Sequence, residues 1–233
     1  MSGIDAAARA GVYQVLFGRR DVRGQFLPDP IDPAVLARVL HAAHHAPSVG
    51  LSQPWNFILV RDIAVKARVQ EAFLAAREEE ATLFRGERRA AYRDLKLAGI
   101  AEAPVNLCIT CDRARGGPVV LGRTRQPDTD LYSTACAVQN LWLAARAENL
   151  GLGWVSIIEP AVLGDILALP GGVVPVAYVC IGRVAYFYDE PELQVRGWGR
   201  RLRASQLLFN ESWGRQDDDP LRDALARLEK DGR

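Results

Sequence analysis

From about Asp130 to Asn149 the chain reads DLYSTACAVQNLWLAARAEN. Leu131, Ala135, Val138, Leu141, Trp142 and Ala145 recur there at helical spacing, with little polar surface between them. A helix of that kind must be covered by other elements, so it predicts a central helix about which the chain is arranged. Gly151 ends it. A strand, GWVSI, follows, and three further apolar runs read as strands: Trp55–Val60, Val105–Cys111 and Val173–Gly182. Helices are predicted over 5–17, 33–45, 63–77 and 160–169, and from Pro220 to the end. Gly151-Leu152-Gly153-Trp154-Val155-Ser156 approaches a dinucleotide fingerprint and fails it. A serine stands at the third glycine, and the order is helix then strand, the reverse of what a Rossmann turn requires.

Length and composition narrow the function classes. With 233 residues, 49% of them hydrophobic, the chain forms one sizeable core, and a single domain over 1–233 is expected. Basic and acidic residues number 29 and 28, for a formal charge of +1, and the basic residues are not sorted into a tail or stripe. Neither nucleic acid nor a membrane is expected as partner. The start, MSGIDAAARAG, lacks the basic and apolar regions of a signal peptide. Four cysteines do not make a disulfide scaffold. Cys108 and Cys111 form a C-x-x-C inside an apolar strand with no second pair at finger spacing, which marks core thiols. A reduced, cytoplasmic protein is expected. His41, His44 and His45 cluster on one helix, but no third ligand or H-E-x-x-H pattern accompanies them, and no metal site is expected.

Two stretches carry chemistry. Ala46–Val60, APSVGLSQPWNFILV, leads from a helix end into a strand through Pro47, Ser48, Gly50, Ser52 and Gln53. Hydroxyls, an amide and a glycine without charge suit the edge of a flat polar heterocycle, although such a run is also an ordinary helix-to-strand turn. Arg19-Arg20-Asp21-Val22-Arg23 places three guanidiniums within five residues, which suits a phosphate. Capping of the preceding helix accounts for Arg19 and Arg20 and leaves Arg23 unexplained. The charged segment 78–98 is dotted with Leu83, Phe84, Tyr92, Leu95 and Leu97, and reads either as an exposed helical excursion or as a lid. The stretch 189–215 looks extended yet holds Trp198, Leu207, Leu208, Phe209 and Trp213, which suggests a tail that embraces a second subunit.

Taken together, R-R-x-x-R early and A-P-S-x-x-x-x-Q-P-W before a strand resemble the nitroreductase-like flavoproteins. The likeness is stronger to their 5,6-dimethylbenzimidazole synthase branch, and it rests on Arg19–Arg23, His45–Trp55, Leu95-Lys96-Leu97 and Gly151–Ser156. The resemblance implies an α+β fold with a mostly antiparallel central sheet wrapped by helices, a homodimer with exchanged C-terminal tails, and FMN at the subunit interface. It implies that Arg19, Arg20 and Arg23, in one run with Asp21 and Val22, hold the FMN phosphate and ring edge. Ser48, Gly50 and Ser52 would line the ribityl and ring, Leu95 and Lys96 would come from the lid, and Arg200 or Arg201 would complete the phosphate site. The implied reaction fragments reduced FMN with O₂ into 5,6-dimethylbenzimidazole, the lower ligand of vitamin B12, and erythrose 4-phosphate. Asp21 would move a proton beside the ribityl, Ser156 would relay one near the ring, and a separate reductase would supply reduced flavin. From the residues alone Asp21 reads first as the ion-pair partner of a neighbouring arginine, and the resemblance reverses that preference. Two other activities suit the same fold: an NAD(P)H-dependent nitroreductase or quinone reductase, and a non-enzymatic FMN-binding protein.

Overall fold

Three aspartates set three helix starts. Asp5, Asp32 and Asp62 each accept a hydrogen bond from a first-turn N–H, those of Ala8 (2.8 Å), Ala34 (2.8 Å) and Ala64 (2.7 Å). The structure is a computed structural model that describes residues 3–230. Its helices are α1 (Ala6–Gly18), α2 (Pro33–His44), α3 (Ile63–Ala81), α4 (Gly86–Asp94), α5 (Thr129–Ala147), α6 (Pro160–Ile166), α7 (Glu192–Val195) and α8 (Pro220–Lys230). Its strands are β1 (Trp55–Val60), β2 (Val105–Asp112), β3 (Gly151–Val155) and β4 (Val173–Gly182). They form one antiparallel sheet in the order β1-β2-β4-β3. The α+β reading of the sequence is borne out, and β1 and β4 have the ends that the apolar runs predict.

The chain divides into two compact units, one ending at Asp189 and the other beginning at Glu190. In the first, the sheet is covered on both faces. One face carries the core of α2 and α5, where Val39, Ala43, Ala137, Val138, Leu141 and Ala145 have no exposed surface. The other carries the core of α3 and α6, around Val69, Phe73, Leu163 and Tyr178. This two-sided cover is why seven of the eight residues of β2 are buried without the alternation of a half-exposed strand. Two polar side chains are caught in it. Asn106 donates to the Ile100 carbonyl (3.0 Å) and lies 3.0 Å from the Tyr178 hydroxyl, while Thr110 Oγ1 accepts from Asn56 (3.3 Å).

The α5 helix is central on one side only. Tyr132, Ala135, Cys136 and Gln139 form an exposed stripe along it, and α1 buries none of its residues although it carries Val12, Tyr13, Leu16 and Phe17. The second unit differs from the extended tail that the sequence suggests. It folds back on itself: Ser205 Oγ donates to Glu229 (2.8 Å), and Arg222 donates to the carbonyls of Leu208 (3.0 Å) and Asp217 (2.9 Å). Hydrogen bonds local to this segment, which a count of its apolar residues cannot reveal, make it compact.

The cysteines behave as the strand reading implies. All four are free; Cys108, Cys111 and Cys180 are buried and Cys136 is exposed on α5. Burial pushes the thiols of Cys108 and Cys180 up to about 12 and that of Cys111 upward as well. A thiol reagent in mildly alkaline buffer should therefore leave Cys108, Cys111 and Cys180 unmodified in the native protein, and all four cysteines should react after denaturation. Mass spectrometry of labelled peptides checks this, and native labelling of Cys108 or Cys180 would contradict the placement of β2 and β4.

Candidate functional site

The first cluster of expected site residues lies along β3, the edge strand. As α1 ends, the chain turns beside β3: Val22 N–H donates to the Leu152 carbonyl (3.1 Å), and Asp21 forms a parallel bridge with Leu152. Gly153 permits this approach, because a Cβ there would overlap the Val22 carbonyl oxygen. Of the two glycines that mimic a nucleotide fingerprint, Gly153 thus serves backbone contact between two segments, and Gly151 makes room for the Val184 and Val22 side chains. Asp21 Oδ1 accepts from Trp154 N–H (3.0 Å), and Oδ2 is paired with Arg23. The carboxylate is held on both sides, so the ion pair weighed from the sequence is present.

The arginines of this run are engaged with the chain. Arg19 lies over the Trp142 ring, 4.6 Å from its centroid. Arg20 donates to the carbonyls of Phe17 (2.7 Å), Arg19 (2.7 Å) and Asp189. Trp142 Nε1 donates to the Arg20 carbonyl (3.3 Å) and Arg146 Nε to that of Gly18 (3.1 Å), so α5 fixes the path of residues 18–20. Val22 is buried in the core beneath α3. Ser156, two residues past Trp154, is exposed beside a groove of about 170 Å³ lined also by Ile158, Leu163, Pro175 and Tyr178.

The segment 78–98 reaches the same cluster. It forms a hairpin with α3: Tyr92 is buried, stacks on Phe84 at 4.9 Å and bonds Glu80 (2.9 Å), and Arg77 donates to the carbonyls of Arg93 (2.7 Å) and Leu95 (2.9 Å). Leu95 is buried, and Lys96, paired with Glu102, passes close to the arginine run: a Cβ on Gly24 would lie 3.5 Å from Lys96 Cγ.

The second cluster, Ser48, Gly50 and Ser52, lies elsewhere, at the start of β1. Ser48 Oγ accepts from Gln53 N–H (3.0 Å), and Ser133 of α5 accepts from Val49 N–H (3.0 Å). Ser52 Oγ is buried with no hydrogen-bond partner. Gly50, Leu51 and Gln53 have φ of 54°, 52° and 46°. For the two non-glycine residues this costs about 1 kcal/mol or more each, held only where surroundings enforce it. The Gly- and Pro-rich loop 112–128 supplies them. That loop is anchored by Asp130, 1% exposed, which pairs with Arg113 (3.2 Å) and Arg123 (3.5 Å).

Within one chain the clusters do not converge. Ser133 and Trp142, their respective contacts on α5, are nine residues apart, about 14 Å of helix rise. They also sit at opposite edges of the sheet, three interstrand steps of about 4.8 Å apart. Arg200 and Arg201 belong to the second unit, where both are exposed and Arg201 N–H donates to Gln194 (3.2 Å). Reading the sequence missed Arg115, Arg123 and Asp130: arginines in a turn-rich loop and an acid at a helix start give no local sign that they meet.

Comparison with known proteins fits this architecture. The profile of the Nitroreductase family matches residues 16–183. The chain belongs to the nitroreductase family. It is 42% identical over 197 residues to the 5,6-dimethylbenzimidazole synthase of Rhodospirillum rubrum, covering 84% of this chain and 93% of that protein. It is 43% identical over 194 residues to the synthase of Rhodobacter capsulatus, covering 83% and 93%. Among solved structures, iodotyrosine deiodinase bound to FMN and 3-iodo-L-tyrosine superposes with a TM-score of 0.64 at 19% identity, over 76% of this chain and 91% of that one. Nitroreductase A of Vibrio parahaemolyticus does so with 0.64 at 18%, over 95% and 83%. At such identities the likeness is one of fold.

A Gly153→Ala substitution should destabilise this family member by about 3 kcal/mol or more, since the Cβ can be admitted only by moving backbone. Urea unfolding measures the loss. Hydrogen exchange at Val22 N–H, bonded to the Leu152 carbonyl, should quicken before that of β2 and β4.

Proposed function

We propose that this chain fragments reduced FMN with O₂ to give 5,6-dimethylbenzimidazole and erythrose 4-phosphate. The observation that carries the reading is the 42–43% identity to two synthases of that name across more than four-fifths of the chain. The donor set suits an FMN. Ser52 Oγ is a buried hydroxyl lacking a partner, the loop 48–53 offers uncharged donors and acceptors, and Arg19, Arg20 and Arg23 gather positive charge in five residues. Ser48, Gly50 and Ser52 would line the ribityl and ring, and the three arginines, beside Val22, would hold the phosphate with Arg200 or Arg201. Because the two clusters stand at opposite sheet edges, each flavin would take one from each of two copies. The exposed apolar residues of α1 and the bare stripe of α5 support that homodimer.

When bound, reduced FMN supplies the electrons for O₂ and the carbon atoms of the product. The protein's part is positioning and proton transfer. Asp21 takes up and returns a proton at a carboxylate oxygen, and its two anchors, Trp154 N–H and Arg23, fix where that oxygen points. Ser156 Oγ offers an exchangeable proton two residues further along the same strand exit. Leu95 and Lys96, carried by the α3–α4 hairpin, close the site against water, and a separate reductase delivers the reduced flavin.

The test is anaerobic reduction of the FMN-loaded protein, admission of air, and chromatography of the small molecules. Dimethylbenzimidazole with loss of flavin is expected. Full recovery of oxidised FMN with peroxide would overturn the reading in favour of a nitroreductase activity. Asp21→Asn and Ser156→Ala should each retain FMN and lower product formation about a hundredfold or more. Native turnover in either variant removes that residue from the chemistry.

A further inference from the structure

The backbone of Gly50–Gln53 is strained, and its internal bonds are short-range: Leu51 N–H to the Ser48 carbonyl (3.1 Å), Ser52 N–H to that of Val49 (3.0 Å), and Gln53 N–H to Ser48 Oγ (3.0 Å). Each of these ends within the same loop, so none ties it to the rest of the molecule. One tie is the bond from Val49 N–H to Ser133 Oγ of α5 (3.0 Å), and the others come from the 112–128 loop. Val120 and Leu121 press on Gly50: a Cβ there would stand 2.7 Å from Val120 Cγ1 and 2.9 Å from the Leu121 carbonyl oxygen. The polar tie from that loop is Arg115. Its Nη1 donates to the carbonyls of Gln53 (3.1 Å) and Trp55 (3.2 Å), and its Nη2 to Asn56 Oδ1 (2.6 Å), with Asp112 Oδ2 at 3.5 Å.

Arg115 is itself held in place. Arg123 donates to the carbonyls of Arg113 (3.1 Å), Arg115 (3.4 Å) and Gly117 (2.8 Å) and pairs with the buried Asp130, which also pairs with Arg113. A continuous path of charge-assisted bonds thus runs from a buried carboxylate on α5, through one loop, to the carbonyl that closes the strained loop. A guanidinium suits this place because its planar fork reaches three acceptors at once, which an ammonium on a flexible stem does not.

We propose that Arg115 is a positioning residue for the flavin site: by fixing the Gln53 and Trp55 carbonyls it holds the Gly50–Gln53 turn, left-handed at Gly50, Leu51 and Gln53, in the form that presents Ser48 and Ser52 to the ligand. It acts through the backbone and touches no reacting atom. The proposal rests on the reading of residues 48–52 as flavin contacts.

The experiment is titration of apoprotein with oxidised FMN, followed by flavin fluorescence and the visible spectrum of the bound flavin, in wild type, Arg115→Met, Arg115→Lys and Asn56→Ala. Arg115→Met should weaken FMN binding about tenfold or more and shift the bound-flavin absorption band. The Lys variant should fall between it and wild type. Asn56→Ala, which keeps the guanidinium and removes one acceptor, should weaken binding only a few-fold. If Arg115→Met does not fold, the order wild type, Asn56→Ala, Arg115→Lys decides in its place. Wild-type affinity and spectrum in whichever Arg115 variants fold would overturn the role of Arg115. Wild-type protein that takes up no FMN would instead sink the flavin reading, and this proposal with it.

Discussion

The sheet is covered on both faces, and the rest of the molecule follows from that. A strand such as β2, with no exposed residue before Asp112, has no place for a group that must meet a small molecule. Polar function is driven to the two edge strands and the chain leading into them. At the β3 edge the connection from α1 lays Asp21 and Val22 against Leu152–Trp154. At the β1 edge the turn before Trp55 collects Ser48, Gly50 and Ser52. α5 touches both, through Trp142 and Ser133, and serves as the ruler between them.

The two edges are built by opposite means. At β3 the sequence removes atoms: Gly153 has no side chain where the Val22 carbonyl must pass, and backbone lies against backbone. At β1 the sequence adds tethers, with a buried acid and several arginines of another loop surrounding a turn whose φ angles are unfavourable for Leu51 and Gln53. Neither device needs a cavity prepared by large side chains.

Much of this was legible beforehand. The strands announce themselves as apolar runs, and Asp5, Asp32 and Asp62 stand where helix starts were expected. The rejection of a Rossmann turn was sound, and the structure adds why the glycines are there at all. The family resemblance, read from Arg19–Arg23 and Ala46–Trp55, agrees with the family the chain belongs to. What stayed hidden was long-range pairing. Nothing near Arg115 in sequence points to Gln53, sixty-two residues away. The compaction of the second unit was equally silent, because Ser205 and Glu229 meet through folding of that unit and not through any local pattern. Period and capping reveal elements; they do not reveal which loop ends up against which.

The contact of Val22 with β3 has a consequence for how this family diversifies. It is made by main chain to main chain at Val22, and the Asp21 carboxylate adds a second link by accepting from Trp154 N–H, so the course of residues 21–22 rests on Asp21 and the buried Val22. Positions 19, 20 and 23 are therefore presented from a rail whose course Asp21 and Val22 set against β3. Ser156 is carried past the end of the same strand with its side chain exposed. At Asp21 shape and reactivity are thus joined in one carboxylate, so a new chemistry on this scaffold is open to substitution at the other presented positions before it is open there.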